Sequence, residues 1–381
     1  MRKLSIGIVI ESLHMHGGVE RRTSELVRHL ISAGHEVDIY ANRWDESTLE
    51  GVGFHRIPML KLGRSMKPLS FARFCSALIP KSKHDIIHTQ TRIFRYDVAT
   101  LGVGCHRAYL DAVCIDPETA PDKGFHRAVL RIESEMLGPE KFAAKNRIIV
   151  NSNMCKQELM ERYSVPEASI HVVHNGVDHE AFSPDIRMNL RAEARKSLGL
   201  SQDDIAVLYV GAGFHRKGLD TLIEAIGQLD KQFKLLIVGK GNRDAYNDSA
   251  HGLGIADQLI WAGQSDDVTR HYAAADVFVL PTRYDPFANS TLEALACGVP
   301  VITTTSNGVS EILRDGIDGF IVERDSPQDI AERLLALADD ENLRERIGSA
   351  GHKAVEPYTW QRTAEQTMAV YDAIIADRGA A

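Results

Sequence analysis

The sequence has few cysteines and no long apolar run. It contains five cysteines in 381 residues, and none of them forms a Cys-x-x-Cys pair. This spacing argues against a disulfide framework or a zinc site and fits a reducing cytoplasm, where thiols stay free. No stretch approaches the ~18 consecutive apolar residues that a membrane-spanning helix requires. We therefore expect a cytoplasmic protein, either free or peripheral on the inner face of a membrane.

The beginning of the chain lacks a feature that a secretory signal needs. The apolar run over residues 4–10 stops at Glu11, and no small-residue cleavage site follows it. A signal peptide has a longer apolar region and such a site. We interpret residues 4–10 as a first buried strand.

Acidic residues are absent from 51–84, although the whole chain has a net charge of −8. Leucine, methionine and phenylalanine alternate with the basic residues of this segment, which are Arg56, Lys61, Arg64, Lys67, Arg73, Lys81 and Lys83. Such a composition suits an anionic membrane surface or a phosphorylated acceptor. It also suits a solvated basic loop and helix, and we expect no nucleic acid as a partner.

Apolar strand patterns and amphipathic helix patterns alternate along the whole chain. This alternation predicts the α/β class with parallel, doubly wound sheets. We expect two Rossmann-like domains facing a central cleft, over residues 1–180 and 181–359, followed by an amphipathic last helix. The predicted strands cover 4–10, 35–40, 85–88, 147–150 and 170–173 in the first domain, and 205–210, 234–238, 259–261, 277–280, 299–303 and 319–322 in the second.

A glycine-rich basic loop follows the strand predicted at 205–210 and precedes a helix predicted at 218–229. It includes Gly213, Arg216 and Lys217. Glycines let the backbone approach a ligand closely, and the start of a helix offers free amide groups with a positive dipole end. The two cations suit a diphosphate. The alternative interpretation is a basic turn that caps a helix.

A second motif, at residues 284–295, follows the strand predicted at 277–280. Pro286 favours an extended conformation for Asp285, and Asn289 or Ser290 is suited to cap a helix that carries Glu293. Both carboxylates then lie near the helix start, where they can accept hydrogen bonds from ligand hydroxyls, and the amides of 288–290 can meet sugar oxygens. The alternative makes Asp285 a turn former and Glu293 a partner of the helix dipole.

Weaker signals lie elsewhere, and two common motifs are missing. Gly17 and Gly18 after the first strand, and Gly239 after the strand at 234–238, are either ligand contacts or tight turns. His106 follows a predicted strand and would bind a sugar hydroxyl as a neutral imidazole. No G-x-G-x-x-G follows the first strand, which disfavours an NAD oxidoreductase, and no Asp-x-Asp pair occurs anywhere, which argues against a metal held by that motif.

Four motifs in the same order resemble those of retaining glycosyltransferases of family 4, which have the GT-B fold. They are Gly17-Gly18-Val19-Glu20, Asn175-Gly176-Val177-Asp178, Arg216-Lys217-Gly218, and Asp285 to Glu293 followed by Ala296-Cys297-Gly298-Val299-Pro300-Val301-Ile302. The resemblance spans nearly the whole chain. It implies that the last helix, from about 360 to 381, crosses back onto the first domain. Within the family, the loop Phe214-His215-Arg216-Lys217-Gly218 and the region Gly104-Cys105-His106 look most like the lipopolysaccharide-core glucosyltransferases.

The resemblance implies a role for each residue of the site. Arg216 and Lys217 would hold the donor diphosphate, Glu293 the ribose hydroxyls, and Asp285 the hydroxyls of the transferred sugar. Gly17 and Gly18 would lie against the donor phosphate, and His106 would contact the sugar. From the loops and the helix start themselves we add Gly213, Gly239, Ala288, Asn289 and Ser290 as donor contacts. The family usually has glutamate at the first acidic position, so the shorter Asp285 leaves the identity of the sugar open.

The implied activity is the metal-independent transfer of a hexose, with retention, from a nucleotide-diphosphate sugar of the UDP-glucose type. The acceptor would be a saccharide or a lipid-linked molecule in cell-envelope or lipopolysaccharide synthesis. The nucleotide sugar is a co-substrate, and no other cofactor is expected. The alternatives are a sugar-nucleotide epimerase of similar fold and a non-catalytic sugar-nucleotide binder.

Overall fold

The structure is a computed structural model that describes residues 3–14, 17–45, 49–60, 62–265 and 267–379. The backbone divides into two compact units. The N-terminal unit comprises Met1–Gly176 with Trp360–Ala381, and the C-terminal unit comprises Val177–Thr359. The sequence interpretation placed the division after residue 180, whereas the backbone contacts place it after Gly176.

The N-terminal unit is a parallel sheet covered by helices. Within the described residues the sheet has seven strands, in the order β5-β3-β1-β6-β7-β8-β9, and β2 pairs with β4 separately. The strands are β1 Ser5–Val9, β2 Ser12–Leu13, β3 Glu36–Ala41, β4 Arg43–Trp44, β5 Gly53–Arg56, β6 Ile86–Thr89, β7 Val98–Thr100, β8 Arg147–Val150 and β9 Ile170–Val172. The helices are α1 Gly18–Ser32, α2 Met66–Leu78, α3 His106–Ala112, α4 Lys123–Met136, α5 Pro139–Ala143 and α6 Asn153–Tyr163.

The C-terminal unit repeats this plan with six described strands, in the order β12-β11-β10-β13-β14-β15. The strands are β10 Ile205–Val210, β11 Phe233–Val238, β12 Leu259–Gly263, β13 Val277–Leu280, β14 Val301–Thr304 and β15 Phe320–Val322. The helices are α7 Pro184–Ser197, α8 Leu219–Ile226, α9 Asp244–Gly252, α10 Thr269–Ala274, α11 Asn289–Ala296, α12 Pro327–Asp339 and α13 Glu341–Val355. The predicted α/β class with two Rossmann-like domains is confirmed.

The last helix, α14 Trp360–Gly379, belongs to the N-terminal unit. Its Tyr371 is buried in the core of that unit, and the hydroxyl lies 2.6 Å from Nδ1 of His88 on β6. Arg147 at the start of β8 donates to the Asp377 carboxylate at 2.5 Å. A buried aromatic residue and a terminal ion pair therefore fasten α14 to the sheet.

The strands are almost continuously apolar because helices cover both faces of each sheet. All six residues of β10 are apolar, and Ala206, Val207, Leu208 and Tyr209 are completely buried. This pattern is typical of a parallel sheet, in which both faces lie in the core. No described helix is long and apolar enough to cross a membrane.

Candidate active site

Two loops of the C-terminal unit lie where the strand order reverses. Strand β10 pairs with β11 on one side and with β13 on the other, so β10 and β13 are adjacent although they are distant in sequence. Residues 211–218 connect β10 to α8, and residues 281–288 connect β13 to α11. Ligands of such sheets bind beyond the carboxyl ends of the strands at this switch point. Both of the stronger predicted motifs lie there.

Two glycines allow close backbone contacts around the loop 211–218, one with the loop after β13 and one with the loop after β11. Gly218 has a φ of +70°, and a Cβ atom there would lie 2.0 Å from the carbonyl oxygen of Pro281. Gly239, after β11, has a φ of +145°, and a Cβ atom would lie 2.0 Å from the carbonyl oxygen of Gly211. Neither position accepts a side chain without displacement of the neighbouring loop. The predicted Gly213 has a φ of +76° in the same loop.

Arg216, Lys217 and Asp285 form a buried ionic cluster. The Nη1 atom of Arg216 donates to Oδ2 of Asp285 at 2.9 Å and to the carbonyl of Tyr284 at 2.8 Å. The Nζ atom of Lys217 lies 3.2 Å from the same carboxylate oxygen. Lys217 is 8% exposed and Asp285 is 7% exposed. The structure thus brings three predicted site residues together, with the carboxylate between the two cations.

The electrostatics of this cluster favour a charged carboxylate. Burial alone raises the pKa of Asp285, but Lys217 and Arg216 outweigh it and hold the pKa below its ordinary value. Burial lowers the pKa of Lys217, and Asp285 opposes that change. Two cations share one carboxylate, so the cluster has a net positive charge that suits an incoming anion.

Glu293 is positioned by a buried tyrosine. The hydroxyl of Tyr272 on α10 lies 2.8 Å from Oε2 of Glu293 and 3.0 Å from the carbonyl oxygen of Ser290. Tyr272 is completely buried, so the surrounding core holds its hydroxyl in place. Glu293 is therefore oriented within the first turns of α11.

The start of α11 differs from the sequence interpretation. Neither Asn289 nor Ser290 caps the helix with its side chain, because Ala288 occupies the cap position. The side chain of Asn307, which follows β14, accepts a hydrogen bond from the Ala288 amide at 3.2 Å and donates one to the Thr291 hydroxyl at 3.0 Å. The Ala288 amide is thus already paired. The Ser290 hydroxyl is buried and has no hydrogen-bond partner in the described structure.

The other predicted residues lie in the N-terminal unit. Gly17 directly precedes α1 and Gly18 is its first residue, so both lie at a helix start after the first strand. His106 begins α3, and its backbone amide donates to Oε2 of Glu133 at 2.9 Å. Its Nε2 lies 3.1 Å from Nδ1 of His126, and the two rings are stacked.

His106 is a neutral imidazole at pH 7. Burial, followed by the charge of Arg92, lowers its pKa to about 4. Its anchor, Glu133, is completely buried, and it also accepts hydrogen bonds from Arg92 at 2.7 Å and from the Tyr163 hydroxyl at 2.7 Å. This network fixes the start of α3 and keeps the imidazole in the form that can exchange a hydrogen bond with a hydroxyl.

Sequence reasoning missed four supporting polar residues. Tyr272, Arg283 and Asn307 hold the loops of the C-terminal unit, and Glu133 anchors His106 in the N-terminal unit. Arg283 is the one that the sequence could have indicated, because it lies directly before the motif at 284–295 and two residues before Asp285. The other three act from elements remote in sequence. No group of three or more potential metal-ligating side chains occurs among the described residues.

Comparison with known proteins gives a family match for each half of the chain. Residues 16–181 match the family described as Glycosyltransferase Family 4, and residues 191–354 match Glycosyl transferases group 1. Each half of the chain therefore matches a glycosyltransferase family. The chain is a glycosyltransferase. The D-inositol 3-phosphate glycosyltransferase of Kribbella flavida is 27% identical to it, with 93% of this chain and 90% of the relative covered.

Two solved structures share the glycosyltransferase fold. WaaG, a glycosyltransferase involved in lipopolysaccharide biosynthesis, superposes with a TM-score of 0.84 at 18% identity over 97% of this chain and 99% of its own. HepE of Anabaena, solved with UDP-glucose, superposes with a TM-score of 0.75 at 18% identity over 97% of this chain and 100% of its own. Identities this low show the fold alone. The predicted GT-B architecture is confirmed, whereas the resemblance to lipopolysaccharide-core enzymes stays a prediction.

Proposed function

We propose that this glycosyltransferase moves a hexose, with retention of configuration, from a nucleotide-diphosphate sugar of the UDP-glucose type to a saccharide or lipid-linked acceptor. The observation that carries the proposal is the cluster at the switch point. Arg216 and Lys217 supply a net positive charge, and Asp285 lies within hydrogen-bonding distance of both. Glu293 lies on the helix that follows the same loop.

The cluster suits the leaving group of the reaction. A nucleoside diphosphate that departs from a sugar develops negative charge, and fixed cations stabilise it without reorganisation. The start of α11 adds backbone amides, which attract sugar or phosphate oxygens. HepE, which has the same fold, was solved with UDP-glucose, and this supports a uridine donor for the present chain.

In the proposed reaction the acceptor oxygen bonds to the anomeric carbon on the face from which the diphosphate leaves. The bond between that carbon and the phosphate oxygen breaks, and the acceptor proton passes to an oxygen of the departing diphosphate. Asp285 is a weak base, because two cations hold its pKa below the ordinary value. The protein then contributes placement and charge stabilisation.

A thermal-shift screen of nucleotide sugars tests the proposed donor. A ligand that binds only the folded state raises the midpoint temperature of thermal unfolding. At a ligand concentration of one hundred times Kd, it raises the free energy of unfolding by ~2.7 kcal/mol. We expect UDP-hexoses to raise the midpoint more than GDP-hexoses or NADH do. We also expect the shift, and hydrolysis or transfer of the sugar, to survive EDTA, since Arg216 and Lys217 provide the charge that a metal would otherwise supply.

Other outcomes of the screen would redirect the assignment. A shift by NADH alone would indicate an oxidoreductase, and conversion of the donor sugar without an acceptor would indicate an epimerase. Binding with no turnover of any donor–acceptor pair would indicate a sugar-nucleotide binder. An obligatory divalent ion would contradict the metal-independent reaction.

We further propose that the basic segment 51–84 binds an anionic surface that carries the acceptor. Leu62, before α2, and Leu78, at its end, are 76% and 52% exposed, and Lys67 and Arg73 are exposed on α2. Arg64 pairs with Asp122, and Lys83 pairs with Asp38 at 2.6 Å, so these two charges are partly neutralised within the protein. Lys61 lies outside the described residues.

Charge reversal on α2 tests this surface. The variant Lys67→Glu with Arg73→Glu is expected to bind vesicles of anionic phospholipid at least about tenfold more weakly, because each basic residue contributes ~1 kcal/mol near such a surface. Vesicle flotation measures the effect. The matched control is Lys196→Glu with Lys231→Glu, which changes net charge equally on exposed positions of the C-terminal unit. Equal binding of both variants would refute the assignment.

A further inference from the structure

Arg283 links the two loops of the candidate site through its side chain. It lies in the loop after β13, two residues before Asp285, and its side chain is largely buried. The two terminal nitrogens of its guanidinium donate to the Asp220 carboxylate at 2.9 Å and 2.8 Å. Its Nε donates to Oδ1 of Asp325 at 2.7 Å. Planar, two-point pairing of this kind fixes direction as well as distance.

The backbone of the basic loop is held by the same arginine and its neighbour. The amide of Arg283 donates to the carbonyl of Arg216 at 2.8 Å, and the hydroxyl of Thr282 donates to that carbonyl at 3.0 Å. The Nη1 atom of Arg283 also donates to the carbonyl of His215 at 2.5 Å. In the opposite direction, Arg216 donates to the carbonyl of Tyr284 at 2.8 Å. Each loop therefore sends an arginine to the backbone of the other, an arrangement that we name the arginine clasp.

The clasp also includes the loop after β15. Asp325 adopts a φ of +58°, a conformation that residues other than glycine rarely adopt. Its carboxylate lies between Arg283 and the hydroxyl of Thr221 on α8, at 2.7 Å and 3.5 Å. Burial opposes the charge of Arg283, but Asp220 and Asp325 outweigh it, so the pKa of Arg283 is raised. Loops after β10, β13 and β15 thus converge on one permanently charged guanidinium.

We propose that Arg283 is a positioning residue, which sets the distance between the Arg216–Lys217 turn and Asp285 and thereby the affinity for the donor diphosphate. This inference rests on the proposed function. The geometry supports positioning over direct contact, because the guanidinium is fully engaged by two carboxylates and a carbonyl. Arg216 and Lys217 instead share the Asp285 carboxylate, at 2.9 Å and 3.2 Å, so two cations face one carboxylate oxygen there.

The test compares Arg283→Gln, Arg283→Lys and Thr282→Val by titration calorimetry with UDP, and by steady-state kinetics with the donor found in the screen. Arg283→Gln is expected to weaken UDP binding and raise the donor KM about tenfold, because a displaced basic turn no longer fits the diphosphate, with a smaller change in kcat. Arg283→Lys keeps the charge but loses two-point pairing, and should fall in between. Thr282→Val removes one donor to the Arg216 carbonyl and should weaken binding slightly.

The matched control is Arg270→Gln. Arg270 also lies near two carboxylates of the C-terminal unit, Asp267 at 3.2 Å and Glu193 at 3.6 Å, but it makes no contact with the basic loop among the described residues. The variant Arg270→Gln should leave UDP binding unchanged.

If Arg283→Gln lowers the melting temperature while UDP affinity and donor KM stay at wild-type values, the positioning role of Arg283 is refuted. If Arg283→Gln fails to fold, unchanged UDP affinity in both Arg283→Lys and Thr282→Val refutes it. If the wild-type protein binds neither UDP nor GDP, the proposed function itself fails.

Discussion

Replacing Arg216 and Lys217 together by alanine is expected to abolish sugar transfer and to weaken UDP binding at least about a hundredfold. Hydrogen bonds to charged groups contribute about 1.5–3 kcal/mol each, so loss of two of them exceeds the 2.7 kcal/mol that corresponds to a factor of one hundred. Transfer suffers further, because the departing diphosphate carries more negative charge than the bound donor. Titration calorimetry and a donor-consumption assay measure the two effects.

The control for this variant removes two cations elsewhere in the same unit. Lys231 and Arg270 are exposed residues of the C-terminal unit, and their double alanine variant should bind UDP as the wild-type protein does. Removal of Arg216 and Lys217 also leaves the Asp285 carboxylate buried without its partners, so the variant should melt at a lower temperature. Calorimetry is therefore done well below that temperature. Wild-type affinity in a folded double variant would contradict the diphosphate assignment.

The variant Asp285→Asn is expected to separate binding from transfer. We expect transfer to fall about a hundredfold, the scale seen when one preorganised electrostatic contact is removed. UDP should bind no more weakly, because the carboxylate that shares Arg216 and Lys217 is gone and the positive charge facing the phosphates increases. Steady-state rates and UDP calorimetry on one preparation measure both quantities.

Asp276 provides the matched control for Asp285. It is a buried aspartate of the same unit that also pairs with two cations, Arg191 and Arg195, but it lies before β13 and outside the loops of the site. Asp276→Asn should lower stability as Asp285→Asn does, yet leave transfer by the folded fraction unchanged. Equal losses of transfer in the two variants would mean that Asp285 acts only through stability.

Acid should lower the stability of the folded protein through Asp285 and His106 in two different pH ranges. Because the folded-state pKa of Asp285 lies below its ordinary value, the stability that it contributes is present above that ordinary value and is lost as pH falls through the folded pKa. His106 behaves likewise, since its pKa of about 4 in the folded state lies below the ordinary 6.5. Its contribution is present above pH 6.5 and is lost as pH falls toward 4.

The strand bounds were predicted best for the two strands that lead into the loops of the candidate site. Strands β10 and β13 were predicted with the bounds that the structure has, because each is a short apolar run that follows an aspartate and ends before a glycine or a proline. Strands β5 and β7 were missed. The first is a partly exposed edge strand with His55 and Arg56, and the second has only three residues and no distinguishing pattern. Register and pairing, rather than local composition, define such strands.

The candidate site was predicted at the level of loops but not of contacts. Arg216 and Asp285 are 69 positions apart, and only the adjacency of β10 and β13 brings them together. The cap of α11 was assigned to Asn289 or Ser290 from local propensity, whereas Ala288 occupies the cap position and Asn307, from the loop after β14, accepts the hydrogen bond of its amide. Tertiary contacts overrode the local preference in both cases. The roles of Gly17, Gly18 and His106 toward a donor stay predictions.

A crystal of the protein soaked with UDP-glucose tests the central claim most directly. The account predicts diphosphate density against the side chains of Arg216 and Lys217, ribose hydroxyls within hydrogen-bonding distance of Glu293, and a sugar hydroxyl near Asp285. Density for the nucleotide at any other place in the C-terminal unit, or a diphosphate out of reach of both cations, would contradict it.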